Sequence, residues 1–221
     1  VTGIAPTGAE IAEGGVPVGA TQLTNSLGEA TWSAPCPPPG QTDALNFSLL
    51  KANAYTPPSG LVRDPSVLRA QDGSYYIVYT DNWSGSSFGV ARSTDLQTWE
   101  YVTTVNTNVS GTLETWAPEW FVDTDGGIYV VVSLSPNPIN QDSGFRPHLF
   151  KAQNDTFTSF SEATPLSGAF VGNNYIDTFI VYDGGTYHAF AKNETTKYVE
   201  HLTSSSLTGP YSLVGSGDWA G

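Results

Sequence analysis

At 221 residues the chain has room for one or two domains. Its abundance of aromatic and β-branched residues, with 23 Gly and 15 Pro, describes a turn-rich all-β protein rather than a helical bundle or a disordered tail. A formal net charge of −13, from 21 acidic against 8 basic residues, excludes the Lys/Arg footprint that nucleic acid or an anionic membrane surface requires, and makes a neutral ligand the expected partner. No apolar run is long enough to span a bilayer.

Residues 1–60 lack periodicity and read as an extended N-terminal arm, lying over a scaffold or leading into it. The arm carries a Pro-rich knot at Pro35–Pro39 and a turn at Pro57-Pro58. Within it, Asp43–Leu50 fits either a strand or a short helical turn. Cys36 is the single cysteine, so it forms neither an internal disulfide nor a thiolate cluster; it is a buried thiol or pairs with a second polypeptide. Asn-x-Ser/Thr triplets at Asn46, Asn82, Asn108, Asn154 and Asn193, an initial Val, and the absence of Met and of an apolar leader describe a mature secreted glycoprotein.

From Arg63 a four-strand template takes over, spanning 61–221. In the first copy Arg63–Arg69 and Tyr75–Thr80 flank a turn at Asp72-Gly73, the pattern of a β-hairpin. The second copy has Glu119-Trp-Phe-Val, a turn at Asp125-Gly126-Gly127 and Tyr129–Val132. The third has Asp177-Thr-Phe-Ile-Val, a turn at Asp183-Gly184-Gly185 and Tyr187–Phe190. Each hairpin is followed by a tail with a third strand, a polar turn and a fourth strand entered by an aromatic: Trp99, Phe160 and Tyr211. Four-stranded units recurring every 50–60 residues indicate a β-propeller. Propellers close with about four to eight blades. Three units would leave exposed sheet edges, which natural β proteins avoid. The remaining blades are therefore expected on another polypeptide.

Asp64, Glu119 and Asp177 stand at one phase of this repeat, ten or eleven residues before their tyrosines. In a propeller the residues opening the innermost strands converge on one mouth of the axial tunnel. Each acid alone would pass for a turn or rim residue. Together they repel, and unequal carboxylates around a pocket are what glycosidic hydrolysis needs. Trp83, after the first hairpin, is a candidate for stacking on a sugar ring. Asp123-Thr-Asp125-Gly-Gly fits a hairpin turn better than a calcium loop, and His148, His188 and His201 have no zinc-ligand spacing.

Arg63-Asp-Pro-Ser-Val followed by Gly-x-Tyr-Tyr, Ser93-Thr-Asp-Leu-x-x-Trp99, Trp116-Ala-Pro-Glu119 and Tyr175-Ile-Asp177 together resemble glycoside hydrolase family 43 over about residues 60–217. The resemblance implies a five-bladed β-propeller, of which this chain supplies about three blades plus the arm. It also implies an inverting, exo-acting α-L-arabinofuranosidase acting on a neutral plant polysaccharide, with β-xylosidase, galactanase or a non-catalytic carbohydrate-binding propeller as alternatives. By the same resemblance Asp64 is the general base and Asp177 the auxiliary carboxylate, while Trp116 and Glu119 face the sugar. The family's general acid is a Glu opening the innermost strand of a fourth blade, which this sequence does not contain. Glu194 is a further substrate contact, expected in an exposed loop. The resemblance requires no cofactor and leaves open a structural calcium ion on the propeller axis.

Overall fold

The structure, a computed structural model, describes strand segments 21–24, 30–34 and 45–48 and residues 51–137 and 144–220. It divides into two compact units, Val1–Ala54 and Tyr55–Gly221. In the first, β1 (Thr21–Thr24), β2 (Ala30–Ala34) and β3 (Leu45–Ser48) pair as an antiparallel meander. Part of the expected arm is thus a small sheet, and of the ambiguous segment 43–50 the portion Leu45–Ser48 is strand. Cys36 lies outside the described residues. The boundary falls before Tyr55 rather than near residue 60, because the Tyr55 ring packs edge-on against Tyr79 at 5.8 Å and their hydroxyls lie 3.1 Å apart.

The second unit holds three four-stranded antiparallel sheets, each a simple meander in chain order. They comprise β4 (Arg63–Arg69), β5 (Tyr75–Thr80), β6 (Ser87–Ser93) and β7 (Trp99–Asn106); then β8 (Glu114–Val122), β9 (Ile128–Ser135), β10 (Arg146–Lys151) and β11 (Thr164–Pro165); then β12 (Tyr175–Asp183), β13 (Thr186–Asn193), β14 (Val199–Ser204) and β15 (Ser212–Leu213). The expected hairpins form where the Gly-containing turns stand, with Gly73 and Gly126 in the left-handed region at φ +85° and +82°. One expectation fails. Phe160 does not open the last strand of the second sheet. It makes an isolated bridge to Ala152 and turns its ring into the core, and β11 is a two-residue strand further on.

Alternation across the strands explains how the sheets stack. Tyr76 and Val78 of β5, with Phe88 and Val90 of β6, pack against Trp120, Val130, Val132 and Phe150 of the second sheet. On its other face the second sheet presents Phe121, Val131 and Leu149 to Ile180, Ala189, Ala191 and Leu202 of the third. β9 is therefore buried from Val130 to Ser135 on both sides, whereas β13 is buried only at alternate residues. The far face of the third sheet keeps Phe179 and Val181 accessible. There Phe190 stacks on His201 and packs against Trp219. Stacking of this kind brings β4 against β8 and β8 against β12, aligning the first strands of the three sheets.

Gly89 of β6 pairs with Tyr79 of β5, and the Tyr79 ring lies across it; a Cβ at Gly89 would sit 2.0 Å from a ring carbon. Tyr79 is buried and held by Tyr55, so the ring has little room to yield. Gly89→Ala is expected to cost about 1–3 kcal/mol, the usual penalty for overpacking. A lowered denaturant midpoint at unchanged slope would show it.

Candidate active site

Asp64 and Asp177 do converge, and the backbone shows how. In β4 the ladder with β5 slips between Arg63 and Ser66; in β8 it slips between Trp116 and Glu119; in β12 between Ile176 and Phe179. At each slip one non-Gly residue takes a left-handed conformation: Asp64 at φ +47°, Ala117 at +49° and Asp177 at +52°. Such bulges re-aim a side chain, and residues held at positive φ cluster at functional sites. The bulge is thus a repeated device, filled by an acid in the first and third sheets and by alanine in the second.

Glu119 therefore does not share the phase of Asp64 and Asp177, contrary to the expectation from tyrosine spacing. Its counterpart is Ser66, two residues beyond the bulge, and Ser66 Oγ donates to Glu119 Oε1 at 2.8 Å. The prolines carry the correct alignment. Arg63-Asp64-Pro65-Ser66 matches Trp116-Ala117-Pro118-Glu119 position for position, and counting back from the tyrosine hides this because the hairpins differ in length.

A cavity of about 230 Å³ opens where the three bulges meet, lined by Asp64, Pro65, Ala117, Pro118, Glu119, Asp177, Thr178 and Phe179. Asp64 Oδ2 accepts a hydrogen bond from Thr80 Oγ1 at 3.2 Å and lies 3.6 Å from Arg63 Nη2. Asp177 is accessible through the mouth but hemmed in by protein. That desolvation, then the negative charge of Asp64, raises its pKa; Lys192 opposes the shift and Glu194 adds to it. Burial likewise raises the pKa of Glu119, against the opposing hydrogen bond from Ser66.

The remaining candidates sit around the cavity rather than lining it. The Arg63 guanidinium lies 3.8 Å from the centre of the Trp83 ring and 5.4 Å from that of Trp116. Trp116 Nε1 donates to the Trp83 carbonyl at 3.0 Å, and its ring packs on Phe145 at 4.7 Å. Trp116 is thus braced by packing, while Trp83 remains 56 % exposed. Glu194 departs from its expected exposed loop. Its side chain is 9 % exposed, paired with Lys192 at 2.6 Å and Lys197 at 2.5 Å. Burial would raise its pKa, but the two ammonium groups outweigh burial and lower it. His188 and His201 hydrogen-bond each other at 2.9 Å on the far face of the third sheet and do not line the cavity.

Comparison with known proteins matches the chain to a family. The model of a glycoside hydrolase family 43-related group, described as "probable glycosyl hydrolase domain", matches residues 50–219. Over 168 residues the chain is 30% identical to an alpha-L-arabinofuranosidase of Bifidobacterium longum subsp. longum; the match covers 62% of this chain and 15% of that protein. The chain thus spans about a seventh of the length of this curated relative. Among solved structures it resembles an arabinoxylan arabinofuranohydrolase of Bacillus subtilis, with TM-score 0.56 at 17% identity over 89% of this chain and 51% of that one. It also resembles an alpha-L-arabinanase of Penicillium chrysogenum, with TM-score 0.55 at 17% identity over 74% and 53%. A xylan beta-1,4-xylosidase of Bacillus halodurans gives TM-score 0.55 at 14% identity over 90% and 41%. At these identities the structural likeness shows a shared fold.

Because folding raises the pKa of Glu119, the folded state binds its proton more tightly than the unfolded chain. Stability is then lost as pH rises through the window between the ordinary carboxylate pKa and the raised one. Glu119→Gln keeps an acceptor for Ser66 and removes the buried charge. It is expected to raise Tm by a few degrees at pH 7, and the gain should vanish as pH falls below the carboxylate range. Thermal melts across pH would reveal that convergence.

Proposed function

The chain belongs to glycoside hydrolase family 43, and from that membership we propose that it supplies about three blades of a five-bladed propeller that hydrolyses plant cell-wall polysaccharide. The reaction we propose is inverting, exo-acting release of α-L-arabinofuranose. One observation carries the reading: the only two acids at the repeated bulge among the described residues, Asp64 and Asp177, open into one cavity and sit in unequal surroundings.

In this reading Asp64 is the general base. Its Oδ2 is held by Thr80, and Oδ1, which has no protein partner among the described residues, takes the proton of the attacking water. The water oxygen bonds to the anomeric carbon as the glycosidic C–O bond breaks on the opposite side. The leaving oxygen is protonated by a glutamic acid on a fourth blade. Inversion needs acid and base about 6.5–9.5 Å apart, leaving room for that water. Asp177, its carboxyl already biased toward holding a proton, is the auxiliary group that orients the acid. Glu119 lies at the cavity wall, and Trp83 and Trp116 flank its mouth. β-Xylosidase or galactanase activity would change the sugar without changing these roles.

Further blades are part of the proposal, carried on additional polypeptide. The accessible apolar residues Phe179 and Val181 on the third sheet, and the partial coverage of longer solved relatives, support it. A secreted glycoprotein is likewise proposed. The exposure of Asn82, Asn108 and Asn154 supports it. Asn193, by contrast, is 8% exposed, with its side chain bonded to Thr195 and Glu200.

With all blades present, Asp64→Asn should lower hydrolysis of an aryl α-L-arabinofuranoside by at least about 10²–10⁴-fold, the usual contribution of general base catalysis. Affinity for an arabino-oligosaccharide should stay within a few-fold by calorimetry. Full activity in the variant, or none in the unsubstituted protein, would reject the reading; the second outcome would favour a carbohydrate-binding propeller.

A further inference from the structure

Thr80 ends β5 opposite Arg63, directly behind the first bulge, and is completely buried. Its hydroxyl has two partners. Oγ1 accepts the Ala117 N–H from the bulge of the second sheet at 2.9 Å, and donates to Asp64 Oδ2 in the first at 3.2 Å. A hydroxyl carries one proton. With a lone pair committed to the Ala117 amide, the proton is directed at Asp64. Arg63 Nη2 approaches the same carboxylate oxygen from its own side chain.

We infer that Thr80 is a positioning residue for Asp64, a buried hydroxyl that ties the second sheet's bulge to the carboxylate of the first and fixes which oxygen faces the cavity. The inference rests on the role proposed above for Asp64. A carboxylate rotates about two side-chain bonds, and its terminal torsion is broad. Holding Oδ2 from behind leaves Oδ1 as the oxygen turned toward a water. The register between the sheets then sets where the base stands, because Ala117 and Asp64 share one hydroxyl.

The same arrangement recurs one step along the strands. Ser66 Oγ accepts the Trp120 N–H at 3.1 Å and donates to Glu119 Oε1 at 2.8 Å. Each hydroxyl therefore meets an amide of the second sheet and a carboxylate at the cavity. They differ in what the carboxylate does. Asp64 stands on a left-handed bulge whose backbone alone leaves its side chain without a ladder neighbour to brace it.

The test compares Thr80→Val, Thr80→Ser and Thr80→Ala in the protein with all its blades, beside Asp64→Asn, using an aryl arabinofuranoside. Valine keeps the shape and loses the hydroxyl; serine keeps the hydroxyl and loses a methyl. The valine variant should lose about 10–100-fold in kcat, the cost of a displaced catalytic group, with KM within about two-fold, and serine should recover most of kcat. If valine fails to fold, serine and alanine carry the same comparison. Unchanged kcat without the hydroxyl, or a serine variant as impaired as valine, overturns the inference and makes Thr80 a packing residue. Full activity in Asp64→Asn overturns the reading beneath it instead.

Discussion

Three left-handed residues, Asp64, Ala117 and Asp177, govern what this molecule can do. Each sits where the first ladder of its sheet slips by a residue, and each costs about 1–3 kcal/mol of backbone strain. An unbroken strand would alternate its side chains strictly between the two sheet faces. The slip removes one residue from that alternation, and all three such residues line the cavity shared by the three sheets. Asp tolerates this conformation better than most residues, because its short polar side chain bonds locally. Ala117 has no such compensation in its side chain; its amide is instead bound by Thr80 of the neighbouring sheet.

Everything else serves to hold those bulges in register. The apolar layers between sheets, Tyr76, Val78 and Phe88 against Trp120 and Val130 on one side and Phe121 and Val131 against Ile180 and Ala189 on the other, fix how far β4, β8 and β12 stand apart. Thr80 and Ser66 then tie the first two strands together at the level of the cavity. Charge is distributed to match. Asp177 feels Asp64, Glu194 and Lys192 at once, while Glu194 is itself paired with two lysines. The outcome is a small cavity whose two forward acids differ in surroundings, which is the condition for giving two carboxyl groups different roles.

Much of this was legible in the sequence, because hairpin turns and alternating apolar strands are local signals. Arg63–Arg69, Tyr75–Thr80 and the strand entered by Trp99 form as their residues indicate. Asp64 and Asp177 were identifiable for the same reason, each opening a repeated strand. Glu119 was misplaced by two positions, since a bulge leaves no mark on tyrosine spacing, although the Pro65 and Pro118 alignment marks it plainly. Glu194 looked like a loop residue inside a glycosylation triplet, yet its side chain is enclosed and its amide is held by the Asn174 carbonyl twenty residues earlier, a tertiary contact that the triplet does not announce. Thr80 gave no signal at all. A threonine ending a strand is ordinary, and only the stacking of two sheets shows what its hydroxyl holds.

If the bulged acids do the chemistry, a sugar must occupy the space between them. A crystal structure of the Asp64→Asn protein with an arabino-oligosaccharide bound would show this directly. The expected result is a terminal pentose beside Ala117, with the substituted side chain at position 64 on one side of its anomeric carbon and Asp177 within reach of the other. A sugar held elsewhere, such as the groove beside Val122 and Tyr182, with the cavity at Asp177 empty, would contradict it.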